Sequence, residues 1–195
     1  MLYSNKVKSM PDKAFFLDRD GCLIKEKDYL SNVKDLEIYD FSFEAVKIMK
    51  EKGYLVFVLT NQSGVARGYF TEADVKIIND EIQKRFRAYG TSIDGFYYCP
   101  HYKDGKIKEY AVDCECRKPK IGLVKQALND YPQIDLSQSY MVGDKFSDIQ
   151  MAHNAGCKGI LVRTGHGKEE LKNPHDDITP EKVCENLFDA VKRLN

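Results

Sequence analysis

Short apolar runs alternate along the chain with longer segments whose apolar residues recur at helical spacing, and this alternation constrains the fold more than any other feature. The runs with the length and composition of buried strands lie at 13–17, 54–59, 93–98, 139–142 and 159–162. Helical patterns occupy 41–52, 71–89, 121–129, 146–154 and 181–194. Strands that are apolar along their whole length are typical of a parallel sheet. We therefore predict an α/β fold with helices on both faces of one parallel sheet.

Composition and charge narrow the class of protein. The 195 residues suit a single domain over 1–195. Thirty basic side chains balance thirty acidic ones, so we expect no nucleic-acid partner. No apolar window is long enough to span a membrane, and the first residues lack a secretory signal. Six unevenly spaced cysteines with no disulfide pattern indicate a cytoplasmic protein, and we expect it to be a monomer.

Polar clusters follow the ends of several predicted strands. DRDG lies at 18–21, TNQSG at 60–64 and GDKFSD at 143–148. Each cluster alone is explained by a turn or by the acidic first turn of a helix. In a parallel sheet, however, the carboxyl ends of the strands meet at one edge, and ligands bind there. The three clusters together therefore predict a ligand site at that edge.

The acidic residues of these clusters favour a metal site. Asp18, Asp20, Asp144 and Asp148 would bring three or four carboxylates to the same edge of the sheet. Two unit charges about 4 Å apart repel by roughly 4 kcal/mol at an effective dielectric constant near 20. A cation would relieve this repulsion, and oxygen ligands with a substrate phosphate suit Mg²⁺. The residues alone leave the role of Asp148 open.

Phosphate-binding groups are also available. The TNQSG loop offers hydroxyl and amide donors, which would either cap a helix or hold phosphate oxygens. Lys118 precedes Pro119, which is predicted to begin a helix, so its ammonium group would be held near the helix N-terminus. A solvated side chain is the commoner fate of a single lysine. Lys118 is favoured as a phosphate ligand only because the other polar clusters are predicted to lie near it.

At this point the chain resembles a known family. DRDGCLI, TNQSG, the lysine of CRKPK and GDKFSD are similar, in order, to the four motifs of the haloacid dehalogenase (HAD) superfamily of phosphatases. The resemblance covers residues from about 13 to 165 and implies a Rossmann-like fold. It also implies Mg²⁺-dependent phosphoryl transfer through an aspartyl-phosphate. Cys22 departs from the family pattern, which usually has threonine, but neither carboxylate of the motif changes.

The resemblance also implies roles for individual residues. Asp18 would be the nucleophile, and Asp20 the acid that protonates the leaving oxygen and then activates water. Thr60 and Lys118 would hold the phosphoryl oxygens. The residues implied at the magnesium site are Asp18, Asp144, and Asp20 and Lys145 through their backbone or nearby.

A second metal site is predicted between the third strand and the following helix. Its four candidate ligands are Cys99, His101, Cys114 and Cys116, a complete tetrahedral set for Zn²⁺. Buried thiols or a disulfide are the alternatives. A loop of about twenty residues with little pattern is uncommon unless something holds it, which favours zinc. Because no ligand position is left open, the zinc would be structural. The predicted loop spans about 99–118, so it would position Arg117 and Lys118.

The Cys–His pattern narrows the resemblance to the heptose bisphosphate phosphatases and the related histidinol phosphatases. No insertion is large enough for a cap domain, so short loops would select a small phosphorylated sugar. By family pattern the residues that contact substrate are Glu26, Lys27, Asp28, Tyr29, Asn61, Gln62, Ser63 and Arg117. The expected reaction is hydrolysis of the 7-phosphate of heptose 1,7-bisphosphate in bacterial surface-sugar synthesis.

Two rival functions remain at this stage. Histidinol phosphate carries a cationic amine, which Arg117 would repel unless Glu26 and Asp28 face the substrate. A binding module with a zinc loop and no catalysis is the rival of another class, against which the intact acidic motifs argue. His153, His166 and His175 have no neighbours in the sequence that suggest ligands, and we assign them to the surface or to helix packing.

Overall fold

The computed structural model describes residues 12–174 and 177–194; residues 1–11, 175, 176 and 195, with His175 among them, lie outside the described part of the predicted domain. The strands found there are β1 (Lys13–Leu17), β2 (Tyr54–Asn61), β3 (Gly95–Cys99), β4 (Tyr140–Gly143), β5 (Lys158–Val162) and β6 (Lys182–Cys184). They form one parallel sheet in the order β3-β2-β1-β4-β5-β6. The predicted parallel α/β architecture is confirmed.

Helices cover both faces of this sheet. They are α1 (Asp40–Glu51), α2 (Gly64–Arg67), α3 (Glu72–Ala88), α4 (Gly122–Asp130), α5 (Phe146–Ala155), α6 (Gly167–Glu170) and α7 (Leu187–Lys192). Phe15 and Leu17 of β1 join one hydrophobic cluster with side chains of α1, α3 and α7, whereas Phe16 joins another with α4 and α5. This alternation follows from the two-residue period of a strand.

The end of the chain differs from the sequence-based prediction. The helix predicted over 181–194 is wrong in its first part, because Lys182–Cys184 forms strand β6 and only Leu187–Lys192 is helical. The strand is held by parallel pairing of Val183 with Leu161 of β5, an interaction between distant segments that local periodicity cannot reveal. Asn186, whose side chain accepts a hydrogen bond from the backbone N–H of Asp189, marks the true start of the helix.

Most other boundaries agree with the prediction to within two residues. Thr71 caps α3 through a capping box with Asp74, as its sequence indicates. Between 18 and 39 and between 100 and 121, the described chain contains only turns, isolated bridges and one short 3-10 helix at Val33–Asp35. The predicted lack of a large cap domain is therefore confirmed. Within the described ranges, no helix is long and apolar enough to cross a membrane.

Candidate active site

A cavity of about 340 Å³ opens at the carboxyl edge of the sheet, where β1, β2 and β4 end. Among the residues that line it are Asp18, Asp20, Glu26, Asp28, Tyr29, Thr60, Asn61, Gln62, Ser63, Arg117, Lys118, Lys145, Asp148 and His166. The structure thus brings together most of the predicted site residues. Lys27 is not among the lining residues, because its ammonium group pairs with Glu37.

The floor of the cavity is a buried ion-pair network. The Nζ atom of Lys118 lies 2.6 Å from Asp18 Oδ1 and 2.7 Å from Asp148 Oδ1. Burial alone would lower the pKa of Lys118, but Asp148 and Asp18 raise it above its ordinary value, so the lysine stays charged. The Nζ atom also donates a hydrogen bond to the carbonyl oxygen of Leu59. These contacts fix a cation beside the predicted nucleophile.

Asp144 lies close to Asp18 and is fully buried. Carboxylate oxygens of Asp18, Asp144 and Asp148 lie within 4.8 Å of one another, and we call these three residues the carboxylate cluster. Oδ2 of Asp144 accepts a hydrogen bond from the backbone N–H of His166, whereas the buried Oδ1 has no hydrogen-bond partner within the described residues. An unpartnered, buried carboxylate oxygen is costly unless it binds a cation.

The electrostatics of the carboxylate cluster also favour a cation. Burial, with the Asp18 and Asp148 charges, raises the pKa of Asp144 to about 8. Burial raises the pKa of Asp18 to about 6, with Lys118 opposing and Asp148 adding to the shift. Lys118 and the nearby Lys145 face three carboxylates here, so net negative charge remains when all are ionised. The donor set therefore fits a divalent cation with oxygen ligands.

Asp20 also lines the cavity, two residues after Asp18. Arg19 donates to both of its carboxylate oxygens, at 3.0 and 3.1 Å. Gln62 Nε2 donates to Asp20 Oδ2 at 2.9 Å, and Thr60 Oγ1 donates to the same oxygen at 3.3 Å. The side chains of Thr60 and Gln62, predicted to contact phosphate and substrate, therefore also hold Asp20 in place.

Asn61 has a comparable positioning contact. Its Oδ1 accepts a hydrogen bond from the backbone N–H of Lys118 at 3.0 Å, and its Nδ2 donates to the carbonyl oxygen of Lys118 at 3.3 Å. The amide thus clamps the lysine backbone to the end of β2, although Asn61 also lines the cavity. Ser63, next along the loop, lines the cavity as well.

The loop at 26–29 forms one wall of the cavity. Oε1 of Glu26 accepts hydrogen bonds from the backbone N–H groups of Lys27 and Asp28, at 3.0 and 3.1 Å. Asp28 and Tyr29 have φ angles of 33° and 67°, in the left-handed region that residues other than glycine seldom adopt. Such conformations cost about 1–3 kcal/mol each and persist where the surrounding structure enforces them.

The predicted Cys–His loop (residues 99–118) brings its four candidate ligands together. The Sγ atoms of Cys99 and Cys114 are 3.4 Å apart, those of Cys114 and Cys116 are 3.3 Å apart, and those of Cys99 and Cys116 are 2.9 Å apart. His101 Nδ1 lies 3.3 Å from the Cys116 sulfur. A disulfide needs about 2.05 Å between sulfurs, whereas tetrahedral zinc with 2.3 Å bonds separates them by about 3.8 Å. All of these cysteines are free, and the four ligand atoms can hold a metal ion.

Hydrogen bonds tie the Cys–His loop to the rest of the fold. Glu72, at the start of α3, accepts hydrogen bonds from the hydroxyls of Tyr98 and Tyr110, at 2.7 and 2.8 Å. Both bonds contribute to lowering the pKa of Glu72, with Tyr98 the larger cause. Arg117 donates to the carbonyl oxygen of His101 at 3.1 Å and lies at the cavity rim. The loop therefore places Arg117 and Lys118 at the cavity.

Sequence reasoning missed the role of Arg19 and left that of Asp148 open. Arg19 is fully buried and holds Asp20. Its position between two aspartates directly after a strand could have indicated this role. Asp148 pairs with Lys118, a contact with no signal in the sequence because it joins distant segments. His166, assigned to the surface or to helix packing, has a partly exposed side chain, and its Nε2 lies 3.4 Å from Glu26 Oε2 at the cavity, a contact that the sequence did not indicate. His153, by contrast, is exposed on α5, as expected.

The fold and the site together define a class of protein. A Rossmann-like parallel sheet with acidic motifs at the ends of β1 and β4, and a lysine beside them, is typical of HAD-like hydrolases. The family model described as HAD-hydrolase-like matches residues 115–190.

Comparisons with known proteins identify the family within this class. The D-glycero-beta-D-manno-heptose-1,7-bisphosphate 7-phosphatase of Haemophilus ducreyi is 46% identical over 95% of this chain and 100% of its own length. The D-glycero-alpha-D-manno-heptose-1,7-bisphosphate 7-phosphatase of Photorhabdus laumondii is 40% identical, over 93% of this chain and 96% of its own. The crystal structure of D,D-heptose 1,7-bisphosphate phosphatase from B. bronchiseptica, complexed with magnesium and phosphate, has a TM-score of 0.80 and 32% identity. That match covers 92% of this chain and 96% of the other. The chain belongs to the heptose-1,7-bisphosphate 7-phosphatase family of HAD-like hydrolases.

Proposed function

We propose that this protein removes the 7-phosphate of D-glycero-D-manno-heptose 1,7-bisphosphate, as a cytoplasmic monomer in bacterial surface-sugar synthesis. The observation that carries the proposal is the contact of 2.6 Å between Asp18 and Lys118 at the floor of an open, polar cavity. A carboxylate beside a fixed ammonium group is suited to attack a phosphoryl group whose charge the ammonium offsets. The substrate is supported by the names of the relatives.

The proposed reaction has two displacements on phosphorus. In the first, a carboxylate oxygen of Asp18 attacks the 7-phosphorus, and the bond from phosphorus to the sugar oxygen breaks. The leaving oxygen takes a proton from Asp20, which Thr60 and Gln62 hold at the cavity. In the second, Asp20 takes a proton from water, the water oxygen attacks phosphorus, and Asp18 is released with inorganic phosphate. Lys118 and Thr60 hold the phosphoryl oxygens in both steps.

Two metals complete the proposal. Asp18, Asp144 and the backbone of Asp20 would hold Mg²⁺, with Lys145 nearby, and the ion would supply charge neutralisation at the phosphoryl group. The unpartnered Oδ1 of Asp144 supports this site. The four ligands of the Cys–His loop would hold a structural Zn²⁺, which their mutual distances support.

Histidinol phosphate is the second candidate substrate, and one observation favours it. Glu26 and Asp28 both line the cavity, so they can offset the repulsion between Arg117 and a cationic amine. Glu26 is, however, partly engaged, with His166 Nε2 at 3.4 Å and Lys145 Nζ at 4.0 Å. The heptose substrate is preferred because Arg117, at the rim, offers a planar donor pair to a second phosphate.

Phosphate release from the two substrates, measured with Mg²⁺, tests the proposal. We expect kcat/KM to favour heptose 1,7-bisphosphate over histidinol phosphate by roughly a hundredfold. Arg117→Ala should reduce that ratio, and Arg117→Lys should restore it only in part, because lysine lacks the planar pair of donors. Comparable rates on the two substrates in the unmodified enzyme would contradict the assignment and favour histidinol phosphate.

A further inference from the structure

The Gly165–His166 turn lies three residues after the end of β5 and contacts both Asp144 and Glu26. The backbone N–H of His166 donates to Asp144 Oδ2 at 2.7 Å. The imidazole of the same residue places Nε2 3.4 Å from Glu26 Oε2. One residue therefore contacts a buried member of the carboxylate cluster through its backbone and the 26–29 loop through its side chain.

The backbone contact depends on the absence of a side chain at position 165. Gly165 has a φ of 54°, in the left-handed region. A β-carbon on Gly165 would overlap Asp144 Oδ2 and would lie 2.6 Å from the Cα atom of Gly21. The turn can approach the Asp144 carboxylate this closely only because residue 165 is glycine.

The side-chain contact extends into the wall of the cavity. While Oε2 of Glu26 faces His166, its Oε1 accepts from the backbone N–H groups of Lys27 and Asp28. Those hydrogen bonds hold the backbone just before the two left-handed residues, Asp28 and Tyr29. Glu26 is thus the connection between the His166 imidazole and a loop conformation that local sequence does not favour.

We infer that the Gly165–His166 turn is a positioning element that orients Asp144 through its backbone and the 26–29 loop through the His166 imidazole. Asp144 has one oxygen fixed by the turn, and its unpartnered Oδ1 is left to face a cation. The loop, in turn, is held in the shape that forms one wall of the cavity. The effect on sugar recognition rests on the proposed function, whereas the effect on Asp144 does not.

The role of the His166 backbone in orienting Asp144 is tested by Mg²⁺ binding, measured by isothermal titration calorimetry without substrate. Gly165→Ala should weaken Mg²⁺ binding by roughly 10–100-fold, the usual cost of disturbing a group that orients a metal ligand. Gly156→Ala is the matched control, because Gly156 also has a positive φ, of 78°, but no atom within 4 Å of its added β-carbon. Equal Mg²⁺ affinities in the two variants would overturn this half of the inference.

A second pair of variants covers the case in which Gly165→Ala does not fold. His166 has a φ of −83°, which proline can nearly adopt, so His166→Pro removes the backbone donor. His166→Ala removes the imidazole alone. Mg²⁺ binding should be weaker in His166→Pro than in His166→Ala by about tenfold. Equal binding in this pair would equally contradict a role for the backbone donor.

The role of the His166 imidazole in holding the 26–29 loop is tested by steady-state kinetics and by hydrogen exchange of that loop. His166→Ala should raise KM for heptose 1,7-bisphosphate by about tenfold, with a smaller change in kcat. His166→Gln, which keeps a donor, should recover much of that loss, and His153→Ala on exposed α5 is the control. The amides of residues 27 and 28 should exchange faster in His166→Ala than in His153→Ala. If they exchange equally, the inference is wrong; if exchange differs but no variant hydrolyses the sugar, only the proposed function fails.

Discussion

The carboxylate cluster and the Cys–His loop are both groups of metal-ligating side chains, but the chain assembles them in opposite ways. Asp18 and Asp144 follow the ends of two strands more than a hundred residues apart, Asp148 lies in the first turn of α5, and all three are buried. The ligands of the Cys–His loop lie within one segment, 99–116, and only Cys99 is buried. Sheet topology forms the carboxylate cluster, whereas the spacing of residues within one segment forms the Cys–His site.

The physical consequence is a division between chemistry and stability. The carboxylate cluster concentrates like charges away from water, which raises the pKa values of Asp18 and Asp144 and costs folding free energy. The Cys–His loop has no regular secondary structure between β3 and α4. Backbone hydrogen bonds from Lys106 and Ile107 to the carbonyl oxygen of Ala66 hold it, and its four candidate ligands lie together. The proposed nucleophile, Asp18, lies in the carboxylate cluster, and the Cys–His loop places Arg117 and Lys118 beside it.

The largest expected effect is on catalysis, from Asp18→Asn. An amide cannot attack phosphorus, so phosphate release should fall by at least roughly 10⁴-fold. Thermal unfolding should be little changed, because loss of the Asp18–Lys118 ion pair is offset by relief of repulsion within the carboxylate cluster, and Lys118 keeps its contact with Asp148. Activity in protein shown by mass spectrometry to be free of deamidation would contradict the assignment of the nucleophile. A large loss of stability in Asp18→Asn would contradict the division of catalysis and stability between the carboxylate cluster and the Cys–His loop.

The next effect is on stability, from loss of a ligand in the Cys–His loop. Cys114→Ala should lower the free energy of unfolding by roughly 3 kcal/mol, which corresponds to a Tm lower by about 6–12 °C. Cys157→Ala is the control, since Cys157 is a buried thiol outside the loop. Elemental analysis should find about one zinc per chain in the unmodified protein and less in Cys114→Ala. Equal Tm values for the two variants would argue against a structural metal.

The third effect is a pH dependence of Mg²⁺ binding that arises in the carboxylate cluster. Because the folded pKa of Asp144 is raised from 3.8 to about 8, this group destabilises the metal-free protein progressively as the pH rises from about 4 to about 8. Mg²⁺ must displace that proton, so its affinity should increase by up to about tenfold per pH unit between pH 6 and 8. The Tm increase caused by Mg²⁺ should be larger at pH 8.5 than at pH 6.

Asp144→Asn is the control for this pH dependence. The variant should lose both the Mg²⁺-induced increase in Tm and its dependence on pH, because the titrating ligand is gone. A Tm increase that is independent of pH in the unmodified protein would show that the proton on Asp144 is not displaced by the metal.

The smallest expected effect tests how the Cys–His loop is anchored to the rest of the fold. Tyr110→Phe removes one of the two hydroxyl donors to Glu72 and should cost about 1 kcal/mol, which lowers Tm by roughly 2–4 °C. Tyr98→Phe removes the other donor, from β3 rather than from the Cys–His loop, and is the matched comparison. Only Tyr110→Phe should speed hydrogen exchange within 100–118. Equal exchange in both variants would show that Glu72 does not anchor the loop.

The sequence revealed each region to a different extent. The ligands of the Cys–His loop could be predicted as a set, because a metal site within one segment appears as spacing between residue types. The strand ends that carry Asp18 and Asp144 could also be predicted, since an apolar run followed by acidic residues is a local pattern. Neither pattern could show that Asp148 pairs with Lys118 or that the Lys27 side chain turns away to Glu37.

The sequence by itself determined the parallel α/β fold, the strand ends that form the site and the composition of both candidate metal sites. Only the tertiary structure decided which buried charges neutralise one another, that Lys182–Cys184 extends the sheet as β6, and that His166 reaches Glu26. The physical reason is the range of the interactions. Hydrophobic periodicity and ligand spacing act between neighbours in the chain, whereas ion pairs and edge-strand pairing depend on which distant segments the sheet brings together.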